Sequence, residues 1–92
     1  MKFLIVTYDI PSDKRRNKIC NILKDYGTRV QYSVFECNLD DILTSKMILR
    51  LKEQCENHTD SIRIYQLCSN CQRKIKIIGM GKISEDEKFI IL

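Results

Sequence analysis

The chain has 92 residues, of which 43% are hydrophobic and 30% charged, a balance typical of a folded globular domain and not of a disordered segment. This length suits one domain with a modest core, so we expect a single domain over residues 1–92. Sixteen Lys and Arg against twelve Asp and Glu give a formal charge of +4, which permits a nucleic-acid partner without requiring one.

Cellular location is predicted from the N-terminus and the cysteines. The apolar run after Lys2 ends at an aspartate and is too short for a signal peptide or a membrane span. Five cysteines are an odd number, so we expect free thiols in a reducing compartment. The sequence therefore predicts a cytoplasmic protein without membrane association.

The first strand and the residues after it carry the main functional signal. Phe3–Tyr8 is apolar and rich in β-branched residues, which predicts a buried strand, and Asp9 follows at its end. Pro11 predicts a short rigid crossing, because proline fixes its own φ and biases the preceding residue away from helix. Ser12 is suited to cap a helix whose first turn is Asp13–Arg16. A carboxylate at a strand end facing a cationic helix start indicates a phosphate and metal site.

A first helix is predicted from about Asp13 to Tyr26, because apolar residues recur there at helical spacing. Gly27 stands where a C-cap glycine is expected. The polar side of this helix is rich in cations: Lys14, Arg15, Arg16, Lys18 and Lys24. These cations fit either a solvated helix face or a nucleic-acid contact.

The remaining elements follow from pattern and composition. Thr28–Leu39 is rich in β-formers and has no turn signal, which predicts one long strand. A second helix is predicted from the Asn38–Asp41 region to about Glu56, and further strands at Ser61–Leu67 and Arg73–Gly79. Apolar residues close the chain, so we expect the segment at about 80–92 to form a strand, exchanged with a second subunit or docked on a partner.

This order of elements predicts an α+β sandwich with helices on one face of a single sheet. If the long β segment bends into two strands, the chain becomes a ferredoxin-like βαββαβ sandwich with an additional C-terminal strand.

The cysteine pair Cys68-Ser-Asn-Cys71 has no second pair to complete a zinc site. A thioredoxin-type pair lies where a strand meets a helix, whereas this one precedes another predicted strand. We therefore interpret both residues as structural turn cysteines. His58, the sole histidine, lies in a polar linker and is interpreted as an exposed loop residue.

Asp9 is the candidate metal ligand. A lone aspartate at a strand end is ordinarily a turn or capping residue. Mg²⁺, however, binds through one or two carboxylates plus a phosphate. One chain supplies one suitable aspartate, and a two-fold dimer would bring a second.

Three segments together resemble the small CRISPR-associated endonuclease family, the non-integrase partner of the two core spacer-acquisition proteins. They are YDIPSDKRR at Tyr8–Arg16, RVQYSVFE at Arg29–Glu36 and SIRIYQLC at Ser61–Cys68. The resemblance covers nearly the whole chain in order and spacing. It implies a ferredoxin-like homodimer in which RVQYSVFECNL bends into two strands and the C-terminal strand crosses to the other subunit.

The resemblance also implies the site and the activity. Tyr8 and Asp9 match the catalytic site, with Asp9 as the ligand of a Mg²⁺ or Mn²⁺ ion shared between subunits. The implied nucleic-acid-binding residues are Arg15, Arg16, Lys18, Arg29 and Ser33, and Phe35 is a supporting residue. The implied activity is metal-dependent cleavage of single-stranded RNA or double-stranded DNA, by a dimer that also bridges integrase dimers in the adaptation complex.

Alternatives stay open at this point. Asp13 is a possible auxiliary, but helix capping explains it. No nearby histidine or second carboxylate is then left to act as a general base, so a weak enzyme and a purely architectural DNA-binding scaffold both fit. A toxin-like ribonuclease of the same fold is a further reading. An RNA-recognition module is disfavoured, because the strand aromatics that stack on bases are absent.

Overall fold

The computed structural model describes residues 1–80, which form four strands and three helices. Their order is β1 (Lys2–Asp9), α1 (Asp13–Lys24), β2 (Thr28–Gln31), β3 (Val34–Leu39), α2 (Asp41–Gln54), β4 (Ser61–Leu67) and α3 (Ser69–Arg73). The strands form one antiparallel sheet in the order β2-β3-β1-β4, which confirms the predicted ferredoxin-like βαββαβ plan. The expected C-terminal strand at about 80–92 lies outside the described residues. No helix within residues 1–80 has the length and apolarity that a membrane span requires.

β1 is central in the sheet, and its alternation separates two faces. Val6 pairs with Phe35 of β3 and with Ile64 of β4, on the face that carries the core. The buried side of both long helices packs on this face, through residues such as Leu23 and Met47. The opposite face of the sheet is left without α1 or α2.

α1 begins as predicted but ends earlier. Ser12 is its N-cap and accepts a hydrogen bond from the Arg15 amide at 3.2 Å. The helix ends at Lys24, with Asp25 as a right-handed C-cap, so the predicted glycine cap is wrong. Gly27 instead lies against β3, where a Cβ atom would collide with the Cys37 sulfur and a backbone carbonyl. The close approach of the chain to β3 at this position explains why the residue is a glycine.

The single strand predicted over Thr28–Leu39 is wrong, and the two strands implied by the family resemblance are confirmed. The chain turns at Tyr32 and Ser33. The backbone carbonyls of both residues accept hydrogen bonds from groups outside the β2–β3 ladder. The Arg29 guanidinium donates to the Tyr32 carbonyl at 2.9 and 2.6 Å, and the Tyr8 amide donates to the Ser33 carbonyl at 3.2 Å. The first contact spans three residues and the second spans 25, and together they stabilise a turn that the residue pattern does not signal.

The C-terminal half agrees with the prediction only in part. α2 is capped by Asp40, as expected, and ends at Gln54, while the strand predicted at Ser61–Leu67 is confirmed. The predicted strand at Arg73–Gly79 is wrong: Arg73 ends α3, and the residues after it join no strand of the described sheet. Cys68 is the N-cap of α3, so the expected turn is the start of a short helix.

Candidate nucleic-acid interface and metal-binding carboxylate

Tyr8 lies near the end of β1 on the helix-covered face. Its side chain is 5% exposed, and its ring centroid lies 6.4 Å from that of Phe35. The hydroxyl lies 3.4 Å from the Tyr32 carbonyl oxygen and also contacts the Cys20 thiol. Burial, followed by the contact with Cys20, raises the pKa of Tyr8 to about 12. Tyr8 therefore keeps its proton at neutral pH and acts as a hydrogen-bond donor, not as a base.

Asp9 is the last residue of β1, and its side chain is exposed. Because side chains alternate along a strand, Asp9 points to the uncovered face of the sheet, opposite to Tyr8. Its register partner on β4 is Ser61. The two residues predicted as one catalytic site therefore lie on different faces of a single chain.

A cationic cavity of about 260 Å³ lies between α1 and the β2–β3 turn. Its lining residues are Tyr8, Arg16, Asn17, Cys20, Asn21, Lys24, Arg29 and Tyr32. Three of these eight side chains are cations and none is a carboxylate, so the cavity attracts anions. Its volume is sufficient for a phosphodiester group with part of its sugar.

Arg29 is held in a fixed position in this cavity. Besides its two hydrogen bonds to the Tyr32 carbonyl, its guanidinium lies 5.0 Å from the centroid of the Tyr32 ring. A guanidinium has five N–H groups, so others stay available to a phosphate. The Tyr32 ring is 69% exposed and offers a surface on which a base can stack.

Arg16 forms another wall of the cavity. It donates to the Ile10 carbonyl at 3.1 Å and pairs with the Asp13 carboxylate, which neutralises part of its charge. Asp13 therefore positions a cation beside the cavity. Lys18 faces a separate cavity of about 250 Å³, beside Asn21 and Arg50.

The other predicted residues do not line this cavity. Arg15 instead forms hydrogen bonds of 2.9 and 3.0 Å with Asp60. Ser33 is part of the β2–β3 turn, and the Phe35 side chain is fully buried in the core. A role for Arg15 or Ser33 in nucleic-acid binding stays a prediction.

The Arg15–Asp60 pair predicts a pH-dependent contribution to stability. The Asp60 side chain is fully buried, and its hydrogen bonds to Arg15 hold the pKa of this carboxyl well below its usual value near 3.9. A lowered pKa in the folded state stabilises the fold above about pH 4, and this contribution is lost as the pH falls through the folded-state pKa. We expect Asp60→Asn to lower Tm by more than about 5 °C at pH 7, with a gap that narrows towards pH 3.

Thermal unfolding of wild type and variant between pH 3 and pH 7 measures this gap. Asp41→Asn is the matched control, because Lys2 also lowers the pKa of Asp41 but the Asp41 side chain is 81% exposed. A gap of equal size at every pH, or an equal effect in both variants, would contradict the assignment.

Five residues of the cavity were not among the predicted site residues, although Lys24 was counted among the helix cations: Asn17, Cys20, Asn21, Lys24 and Tyr32. The signal was present for three of them. Asn17, Asn21 and Lys24 are spaced i, i+4 and i+7, which places them on one helix face beside Cys20. Tyr32 could not be placed, because the pattern gave no turn there.

The described residues of one chain do not offer enough ligands for a metal site. Within residues 1–80, no three His, Cys, Asp or Glu side chains lie close enough to hold an ion together. Asp9 provides one exposed oxygen ligand of the type that Mg²⁺ prefers. The donor chemistry fits a site completed by a second carboxylate and a phosphate.

Comparison with known proteins gives consistent matches. A family model described as CRISPR associated protein Cas2 matches residues 1–75. A relative from Methanospirillum hungatei, named CRISPR-associated endoribonuclease Cas2 2, is 38% identical over 89 residues, which are 97% of this chain and 97% of that protein.

Solved structures agree with these sequence matches. The crystal structure of Streptococcus pyogenes Cas2 at pH 6.5 is similar with a TM-score of 0.74 and 36% identity, covering 84% of this chain and 99% of the other. A chain of a structure described as a partial Cas6-RT-Cas1–Cas2 complex is similar with a TM-score of 0.65 and 31% identity, covering 85% and 91%.

Proposed function

Because the chain belongs to the family of CRISPR-associated Cas2 proteins, we propose that it is a homodimeric, Mg²⁺-dependent endonuclease of spacer acquisition. Its substrates are phosphodiesters of single-stranded RNA or double-stranded DNA. The observation that carries the proposal is the exposed Asp9 carboxylate at the end of the central strand, on the face that α1 and α2 leave free. The endoribonuclease name of the relative supports the same chemistry.

The dimer is proposed to form through the uncovered face of the sheet. This face carries apolar side chains that include Ile5 and Tyr65, and Tyr65 is 48% exposed. Two-fold packing of this face would bring one Asp9 from each chain to a shared Mg²⁺ or Mn²⁺ ion. When bound, such an ion would polarise the scissile phosphate and offset its developing charge.

The chain's own residues bind and orient the nucleic acid. Arg29 and Lys24 offset phosphate charge in the cationic cavity, and Arg16 supports them. Tyr8 donates a hydrogen bond but does not remove a proton at neutral pH, because its pKa is about 12. In this scheme the cavity binds the nucleic-acid backbone, while Asp9 would hold the metal ion at the reacting phosphate.

The test is a cleavage assay on single-stranded RNA and double-stranded DNA with Mg²⁺ or Mn²⁺, with sedimentation to size the protein. The proposal requires cleavage that stops with a chelator, and a dimer at assay concentration. A monomer, or cleavage that persists without a divalent ion, would overturn it.

A second candidate is a non-catalytic DNA-binding scaffold of the same complex. The scaffold is favoured because the cationic cavity and Asp9 lie on opposite faces of the sheet. The similar chain of the Cas1–Cas2 complex supports an integrase partner in either case. Tight DNA binding without cleavage under any metal condition would select the scaffold.

Both candidates predict that Lys24 contributes to binding. No partner of the Lys24 ammonium lies among the described residues, so it is free to pair with a phosphate. We expect Lys24→Gln to weaken binding of single- and double-stranded oligonucleotides about 5- to 10-fold and to reduce the salt slope by about 1. Fluorescence anisotropy at several salt concentrations measures both quantities.

The matched control is Lys46→Gln, which removes the same charge from an exposed position on α2 that lines neither of the two cavities described above. Equal losses in the two variants would indicate a general charge effect and would remove the cavity from the proposal.

A further inference from the structure

The five cysteines, all within residues 1–80, fall into two groups. Cys20 and Cys37 are buried and Cys55 is partly buried, whereas Cys68 and Cys71 are exposed. The proposed nuclease function uses neither exposed thiol. These two residues therefore need an explanation of their own.

The position of the pair differs from the one predicted. The sequence placed it in a turn between two strands, which argued against redox chemistry. In the structure Leu67 ends β4, Cys68 caps α3, and Cys71 lies in the following turn of helix. A Cys-X-X-Cys pair at a strand-to-helix junction is the arrangement of thiol–disulfide redox motifs.

The contacts of the pair assign a role to each thiol. The Cys71 amide donates to the Cys68 sulfur at 3.4 Å. The amide contact lowers the pKa of Cys68, while the contact with Cys68 raises the pKa of Cys71. Burial, by contrast, raises the pKa of Cys37 to about 11. Cys68 is therefore suited to attack first and Cys71 to resolve.

A metal does not explain the pair as well. A structural zinc site needs four ligands, and no cluster of three candidate ligands is found in the described part of the chain. Two adjacent exposed thiols without further ligands favour disulfide exchange.

We propose that Cys68 and Cys71 form a reversible dithiol–disulfide site that exchanges with low-molecular-weight disulfides. The Cys68 thiolate attacks one sulfur of the small disulfide, which forms a mixed disulfide and releases one thiolate. The Cys71 sulfur then attacks Cys68, its proton passes to solvent, and the second small thiolate leaves. Two electrons pass from the protein to the small disulfide, which becomes two thiols once its thiolates are protonated.

The experiment equilibrates the full-length protein in buffers of defined glutathione to glutathione-disulfide ratio. Free thiols are then trapped with N-ethylmaleimide under denaturing conditions, and peptides are weighed. In reducing buffer we expect the peptide with Cys68 and Cys71 to carry two maleimide adducts. In oxidising buffer we expect it to carry none and to weigh about 2 Da less than the unmodified dithiol peptide. A short iodoacetamide pulse on the reduced protein should label Cys68 about 10-fold faster than Cys55.

Variants separate this site from adventitious oxidation. Cys71→Ser should arrest Cys68 as a mixed disulfide with glutathione, and Cys55→Ser should leave the 68–71 disulfide unchanged. Cys68→Ser keeps a capping oxygen for α3, so loss of the disulfide in this variant with an unchanged circular-dichroism spectrum supports the assignment. A persistent dithiol in fully oxidising buffer, or oxidation that joins other cysteines or two chains, would overturn it.

Discussion

Asp9→Ala is expected to reduce the metal-dependent cleavage rate by about 100-fold or more while leaving nucleic-acid affinity within about 2-fold. The physical reason is the separation of Asp9 from the cationic cavity, which lies on the opposite face of the sheet. A divalent ion contributes several kcal/mol to transition-state stabilisation, and its loss leaves the phosphate contacts of the cavity intact. Single-turnover cleavage and anisotropy on the same preparations measure the two effects.

The control variant removes a carboxylate that lies beside the other end of β1. Asp41 is the first residue of α2, is 81% exposed, and pairs at 2.8 Å with Lys2, which begins the strand that Asp9 ends. Asp41→Ala should retain full cleavage, since an exposed ion pair contributes little to stability. If Asp9→Ala cleaves at the wild-type rate, Asp9 is not a metal ligand, and if it loses binding as well, the two faces are not independent.

Phe35→Ala is expected to destabilise the fold by about 3–5 kcal/mol, a large share of the stability of a domain of this size. The Phe35 side chain is fully buried, pairs in register with Val6, and contacts the Tyr8 ring. Its removal leaves a cavity beneath the residues that line the nucleic-acid site. Urea unfolding measures the loss.

Two further variants distinguish core packing from substrate contact. Phe35→Leu keeps most of the volume and should restore both stability and cleavage. Tyr32→Ala removes an aromatic ring that is 69% exposed in the same hairpin and should cost less than about 1 kcal/mol. If Phe35→Leu is stable but inactive, Phe35 contacts substrate and its supporting role is wrong.

The sequence alone determined much of the fold. β1, α1, α2 and β4 were located within about two residues, because their apolar residues follow helical or strand spacing and their caps, Ser12 and Asp40, are local signals. The two-strand form of Thr28–Leu39 came only from family resemblance. Its turn is held by the Arg29 guanidinium, which donates to the Tyr32 carbonyl, and by the Tyr8 amide, which donates to the Ser33 carbonyl 25 residues away. Neither contact produces a hydrophobic pattern that sequence reading detects.

The candidate site divides in the same way. Residue types and order pointed to Asp9 and to the cations of α1 that include Arg16, because a carboxylate and cations have a chemical meaning independent of packing. Arg29 came only from the family resemblance. Tertiary structure alone directed Arg15 to Asp60 and Arg29 to the cavity, and it placed Cys68 on a helix and not in a turn. The chemical type of a side chain follows from the sequence. The direction in which it points depends on strand alternation, on register and on neighbours that only the folded chain brings together.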